Sequence, residues 1–199
     1  SVVTAVDEND PLTLITEAVY ARLISSMKEA RITASGLYPD ARTDLNAMTG
    51  REPDDEKAVQ AEAIRDALYA AKLISYAQGF SLMQRASAHY LDCGTIARIW
   101  RKGCIIRSAF LEKITEAYDR NPLLENLLFD DFFRDKITAA LPAWRSVVAA
   151  GALGGTALPC MGSALSYFDG LRTADSPASL IQAQRDYFGA HTFERTDAP

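Results

Sequence analysis

The stretch EKAVQAEAIRDALYAAKLISYAQGFSLMQRASAHYL, residues 56–91, decides the fold class of this 199-residue chain. It contains no proline, and apolar or small residues recur at the spacing of one helix face: Ile64, Leu68, Ala71, Ser75, Leu82 and Ala86. A pattern of that length predicts a long helix from Glu56 to about Leu91. No part of the chain alternates strictly between polar and apolar residues, so we predict an all-α fold.

Upstream, the sequence predicts another long helix from about Pro11 to Ser35, closed by Gly36. Its apolar residues also keep helical spacing: Leu12, Ile15, Val19, Leu23 and Met27. Residues 38–56 contain prolines, a glycine and a cluster of acids, and are predicted to form a polar internal connection. We expect residues 1–199 to form a single helical domain.

Downstream, glycines, prolines and helix-capping acids divide the chain into five further helical segments. One of them starts at Asp130 or Asp131, and its Pro142 either kinks it or splits it into two helices. The predicted segments are TIARIWRK between Gly94 and Gly103, CIIRSAFLEKITEAYD before Asn121, residues 131–153, a helix after Pro159, and a last helix from Pro177 to Gly189.

Composition and charge exclude several classes of function. The chain has 21 Lys+Arg against 26 Asp+Glu and a pI near 5.1, which argues against nucleic-acid binding. The weakly charged residues 67–84 are interrupted by polar side chains, so no membrane span is expected. No export signal is visible at the start of the chain, so a cytoplasmic location is expected.

The sequence shows no catalytic or metal-binding motif. It has only two histidines, and Cys93, Cys104 and Cys160 have neither C-x-x-C nor zinc-like spacing. The glycine cluster GALGGT follows a helix and matches no phosphate-loop pattern, so it is interpreted as a helix terminator. We therefore predict no catalytic residue and no metal ligand on this chain.

Lys72 is the first candidate for ligand binding, because it is the only charged residue between Asp66 and Arg85. On a helix it stacks with Leu68 and Tyr76, so we expect it to be half-buried or to reach into a cavity. One interpretation is a lysine whose stem packs on the helix while its amine is hydrated. The other is an anion ligand, since a buried ammonium needs a partner.

Two arginines and a histidine are further candidates. Arg107 is the single charge in the apolar segment GCIIRSAFL, and would need a carboxylate or a phosphate if it were buried. Arg185 precedes the predicted helix end at Gly189, where the following turn could bring His191 back toward it. The alternative is that these arginines pair with acids of the chain and that His191 is merely exposed.

Five segments give the sequence a family resemblance. They are PLTLITEAVYARLISSMKEARITAS, ALYAAKLISYAQGFSLM, IARIWRKGCIIRSAFL, DRNPLLENLLFDDFF and SPASLIQAQRDYFGAHTFER. Together they closely resemble the C-terminal helical domain of 6-phosphogluconate dehydrogenases, over nearly the whole chain. The resemblance implies a homodimeric enzyme of the pentose phosphate pathway that oxidises 6-phosphogluconate with NADP to ribulose 5-phosphate and carbon dioxide.

The resemblance also implies roles for the four candidate residues. Lys72 and Arg107 match family residues that hold the substrate, chiefly its phosphate. Arg185 and His191 match residues that complete the substrate site of the neighbouring subunit. Three cations and an imidazole would thus surround a phosphorylated sugar acid.

Two features of that family have no counterpart in this sequence: the dinucleotide-binding domain and the helix that supplies a lysine base and a glutamate acid. The match also weakens at residues 1–10 and stops at residues 196–199. We therefore expect a C-terminal part of the enzyme that forms no NADPH by itself. The alternative is a non-catalytic helical dimerisation module whose charges form structural ion pairs.

Overall fold

The computed structural model describes residues 1–38, 56–103 and 108–195, and all regular structure within these ranges is helical. The all-α prediction is therefore confirmed for the described residues. In chain order the helices are α1 (Val2–Asp7), α2 (Thr13–Ser26), α3 (Lys28–Leu37), α4 (Glu56–Ala86), α5 (Cys93–Gly103), α6 (Leu111–Arg120), a 3₁₀ turn (Leu127–Phe129), α7 (Asp131–Leu153), α8 (Pro159–Leu171) and α9 (Ala178–Gly189).

The predicted Pro11 to Ser35 helix is wrong in one respect, because it is two helices. The chain leaves helical geometry at Met27, where ψ is 58°, and the side chain of Arg31 donates to the carbonyl oxygen of Ser25 across the break at 3.1 Å. Helix α4 ends at Ala86, five residues before the predicted Leu91. Helix α1 was not predicted.

The later helices follow the prediction more closely. The side chain of Asp130 caps α7 by accepting a hydrogen bond from the backbone of Phe132, and Pro142 lies inside a single continuous helix. Residues 39–55 of the predicted polar connection, and residues 104–107 before α6, lie outside the described residues.

The first of two compact units spans Ser1–Tyr167, and its core lies between α4 and α7. The buried side chains of α4 face those of α7, while α5 and α6 pack against each other. Phe80 of α4 also contacts the rings of Trp100 and Tyr118 at 5.4 and 5.6 Å between centroids. The largest fully buried residues include Leu73, Ile74, Phe80, Leu111, Ile114, Phe133, Ile137 and Trp144.

A buried amide fixes the start of α2 on α4. Gln78 is fully buried, and its Oε1 accepts a hydrogen bond from the backbone N–H of Leu14 at 3.1 Å. Its Nε2 donates to the hydroxyl of Thr13 at 2.9 Å. Because the first N–H groups of a helix have no partner within the helix, Gln78 acts as a cap supplied from a distant part of the chain.

The second unit, Phe168–Pro199, contains the end of α8, helix α9 and the loop that follows it. Helix α9 has no buried residue. Its large apolar side chains are mostly exposed, with Tyr187 at 84% and Phe188 at 77%. Because these side chains are exposed, α9 does not pack on a hydrophobic core within its own unit.

Candidate anion-binding residues

Lys72 lies on the outward side of α4, between the buried residues Ala71 and Leu73. Its side chain is exposed, because the helix turns this position away from the core, so the ammonium is not drawn into the interior. The ammonium lies 5.6 Å from the centre of the Phe110 ring, a distance typical of a cation–π contact.

The Phe110 ring is itself held in place by aromatic neighbours. It is 5% exposed and makes edge contacts with Tyr69 and Tyr76, at 6.0 and 4.8 Å between ring centres. A ring attracts a cation without using the N–H donors of the ammonium. The Phe110 ring therefore stabilises the position of Lys72 and leaves the N–H donors of its ammonium available to an anion.

Arg107, the second candidate in this unit, lies outside the described residues. It stands three positions before Phe110 in the sequence. The structure therefore does not test the predicted pairing of Lys72 and Arg107.

Arg185 is exposed on α9, and its guanidinium makes one long contact, to Oε1 of Gln182 at 3.5 Å. His191 is also exposed, two residues beyond the helix. Its ring covers the end of the helix: a Cβ added at Gly189 would lie 3.1 Å from its Cδ2 and Nε2. No hydrogen bond joins Arg185 to His191 in the described part of the chain.

The chain turns back after α9, as the sequence predicted. Ala190 adopts the left-handed conformation with φ of 48°, and its N–H donates to the carbonyl oxygen of Asp186 at 2.8 Å. The N–H of Thr192 then donates to the Asp186 carboxylate at 2.7 Å. Sequence reasoning assigned no role to Asp186 or Gln182. The two lie four residues apart and so share one helix face, which could have drawn attention to them.

Most other arginines of the described residues have an acidic partner. Arg120 contacts Asp130 at 2.6 Å, Arg98 contacts Asp119 at 2.6 Å, and Arg101 contacts Glu112 at 3.1 Å. In contrast, neither Lys72 nor Arg185 has a carboxylate within 4.0 Å among the described residues. Within the described ranges, the two charges therefore take no part in the structural ion pairs of the alternative interpretation.

The cysteines offer no reactive site in the described residues. Cys93 and Cys160 are free thiols, and burial is the main cause that raises the pKa of each. Across the described ranges, no cluster of three metal-ligating side chains is present. No described helix is long and apolar enough to cross a membrane.

Comparison with known proteins gives a consistent match. The family model described as 6-phosphogluconate dehydrogenase, C-terminal domain, matches residues 1–199. A Bacillus subtilis relative named 6-phosphogluconate dehydrogenase, NADP(+)-dependent, decarboxylating is 50% identical over 98% of this chain. A Dictyostelium discoideum relative named 6-phosphogluconate dehydrogenase, decarboxylating is 49% identical over 99% of it. The chain spans 40% of the length of each of these relatives.

A solved structure agrees with the sequence matches. Plasmodium falciparum 6-phosphogluconate dehydrogenase is 36% identical in sequence and superposes with a TM-score of 0.89. The match covers 100% of this chain and 42% of the Plasmodium chain. That enzyme has been solved in its apo form, in complex with its cofactor NADP+ and in complex with its substrate 6-phosphogluconate.

Proposed function

Because this chain belongs to the family of 6-phosphogluconate dehydrogenase C-terminal domains, we propose that it is the substrate-binding and dimerisation part of such an enzyme. The reaction is the oxidative decarboxylation of 6-phosphogluconate to ribulose 5-phosphate with NADP. We propose that Lys72 and Arg107 bind the phosphate of the substrate. Arg185 and His191 are proposed to complete the site of the neighbouring subunit.

One observation carries this proposal: Lys72 and Arg185 are exposed cations without an acidic partner among the described residues. In contrast, arginines near them in the sequence, Arg65, Arg85 and Arg172, are paired with acids. An ammonium and a guanidinium in that state can both donate charge-assisted hydrogen bonds to a phosphate or a carboxylate. The role of this chain is thus to attract and orient the anionic substrate.

NADP supplies the hydride acceptor of the proposed reaction, and the residues described here do not fit its binding. The cluster Gly151 to Thr156 ends α7, and a Cβ at Gly151 would lie 2.5 Å from the side chain of Leu158. Gly151 thus serves close packing at the end of a helix, and the cluster follows no strand, so it forms no strand-to-helix phosphate loop. We assign no residue of this chain to NADP, and we expect no NADPH formation by the isolated chain.

The proposed binding is tested by calorimetric titration with 6-phosphogluconate, using gluconate as the control without phosphate. We expect saturable binding of the phosphorylated acid only. Arg185→Ala should weaken binding by about 1.5–3 kcal/mol, the range for hydrogen bonds to charged groups. Arg172→Ala, in the same unit but paired with Asp169, should not weaken it. Equal effects of the two variants would remove Arg185 from the site.

Lys72 has a matched control in Lys136, whose ammonium also lies over a phenylalanine ring, that of Phe132, at 5.8 Å. We expect Lys72→Ala to weaken binding of 6-phosphogluconate and Lys136→Ala to leave it unchanged. If neither variant binds more weakly than the parent, Lys72 does not contact the ligand. If the parent binds neither acid, the alternative of a dimerisation module is favoured.

Exposed apolar residues support the proposed homodimer. Several of them lie along α2 and α3, among them Val19, Leu23, Ile24, Met27 and Ile32. Large contiguous apolar surfaces mark contacts with other proteins, and homodimer interfaces resemble half of a core. Sedimentation velocity should give a concentration-dependent mass approaching twice 21.8 kDa.

Mixing two variants tests whether the site is shared between subunits. Lys72→Ala and Arg185→Ala homodimers each lack one proposed ligand in both sites. A mixed dimer has one site with both ligands only if Arg185 acts in the neighbouring subunit. Recovery of tight binding after mixing is therefore expected, and no recovery despite proven subunit exchange would place both residues in the same subunit's site.

A further inference from the structure

We propose that Asp186 and Gln182 are positioning residues, which hold loop 190–192 in the conformation that places His191 over the end of α9. The inference about the loop rests on the geometry of α9 alone. Its consequence for substrate binding rests on the function proposed above.

The loop is strained on both sides of His191. Ala190 has φ of 48° and Thr192 has φ of 60°, both in the left-handed region that favours glycine. For a β-branched residue such as threonine, this conformation is a genuine outlier. Such strain persists only where the surroundings fix the backbone, and it is concentrated at functional sites.

Two side chains of α9 supply that constraint, by binding both backbone polar groups of Thr192. The carboxylate of Asp186 accepts from its N–H at 2.7 Å, and Nε2 of Gln182 donates to its carbonyl oxygen at 2.6 Å. These two groups belong to the peptide groups on either side of the Thr192 Cα, so the two hydrogen bonds together restrain the backbone rotation of both. Gln182 also accepts from Arg185, so the same amide contacts both the loop and the proposed ligand.

Gly189 provides the surface on which the ring of His191 packs. The ring lies against its Cα, and a Cβ there would approach two ring atoms to 3.1 Å. The absence of a side chain therefore lets the ring pack on the helix end. The backbone clamp at Thr192 and the flat surface at Gly189 together determine where the imidazole lies.

Hydrogen exchange of the Thr192 amide and the ring NMR signals of His191 test the clamp directly. We expect Asp186→Ala to speed exchange at Thr192 about tenfold, the loss of roughly one hydrogen bond, and to shift the His191 signals toward those of the unfolded chain. Asp186→Asn keeps an acceptor oxygen and should keep both. Gln182→Ala should loosen the loop, and the exposed Gln184→Ala should not.

Titration with 6-phosphogluconate then separates positioning from charge. Removing the negative charge of Asp186 should by itself favour an anion, in Asp186→Ala and Asp186→Asn alike. If the carboxylate positions His191, only Asp186→Ala binds more weakly, by about tenfold. Stronger binding by both variants would overturn the role in binding. Unchanged exchange and ring signals in Asp186→Ala would overturn the clamp, whether or not the parent protein binds the ligand.

Discussion

Helices α7 and α9 are both rich in apolar and aromatic residues, but only α7 buries them. Phe133 of α7 is fully buried in the core of the first unit, whereas Phe188 of α9 is 77% exposed. The same side chain therefore stabilises the fold in one helix and is exposed to water in the other. The difference shows that the apolar content of a helix predicts that the helix packs against something. It does not predict whether the packing partner is the same chain or another protein.

Substituting the two phenylalanines gives the largest expected contrast. We expect Phe133→Ala to lower the free energy of unfolding by about 3–5 kcal/mol, because it leaves a cavity beside α4. Phe188→Ala should change the stability of the monomer by less than about 0.5 kcal/mol, as for an ordinary surface position. Urea unfolding at low protein concentration measures both. A similar loss in the two variants would break the comparison.

Two glutamines give a contrast of intermediate size. Gln78→Leu keeps the side-chain volume but leaves the N–H of Leu14 and the hydroxyl of Thr13 without partners, so we expect a loss of about 1–3 kcal/mol. Gln184→Leu, on exposed α9, should have little effect. Equal stability of Gln78→Leu and the parent would mean that water replaces the amide at the start of α2.

A buried and an exposed tyrosine extend the comparison to high pH. Of the predictions made here, this one has the smallest expected effect on the free energy of unfolding at neutral pH. The hydroxyl of Tyr118 is buried next to the thiol of Cys93, while Tyr187 is 84% exposed. Burial, followed by the neighbouring Cys93 thiol, raises the pKa of Tyr118 well above its ordinary value of 10.0. The folded protein thus holds a proton that the unfolded chain releases, and stability falls as pH rises above about 10.

Tyr118→Phe removes this titration. We expect its stability at neutral pH to stay within about 1 kcal/mol of the parent, since the hydroxyl loses only a weak contact with the Cys93 thiol. Its decline at alkaline pH should be shallower by up to about 1.4 kcal/mol per pH unit. Urea unfolding at neutral pH and at about pH 11 measures the difference. Parallel declines in the two proteins would show that the hydroxyl ionises equally well when buried.

Helical periodicity predicted where helices lie better than it predicted where they stop. The capped start of α7 and the end of α9 at Gly189 were predicted because local residues determine them. The break at Met27 carries no proline or glycine, so no local signal marks it. The apolar residues Val19 and Leu23 kept helical spacing yet remain exposed, since periodicity does not distinguish an intramolecular core from an interface.

The binding role of the candidate residues stays a prediction. The isolation of Lys72 among uncharged residues singled it out in the sequence, whereas the direction of its side chain depends on which face of α4 meets α7. The turn after Gly189 was predicted, but it was expected to bring His191 back toward Arg185. The return of Thr192 to α9 depends on Gln182, a contact ten residues away that no local pattern marks.

The amide of Gln78 also sets an order of events during synthesis. It joins the nascent chain 64 residues after Leu14, the residue whose N–H it binds. At about 5–20 residues per second, the start of α2 waits roughly 3–13 s for its cap. Throughout that interval Leu12 and Leu14 have no α4 to pack on. Helix α2 therefore leaves the ribosome before α4 but can reach its packed position only once α4 has been made.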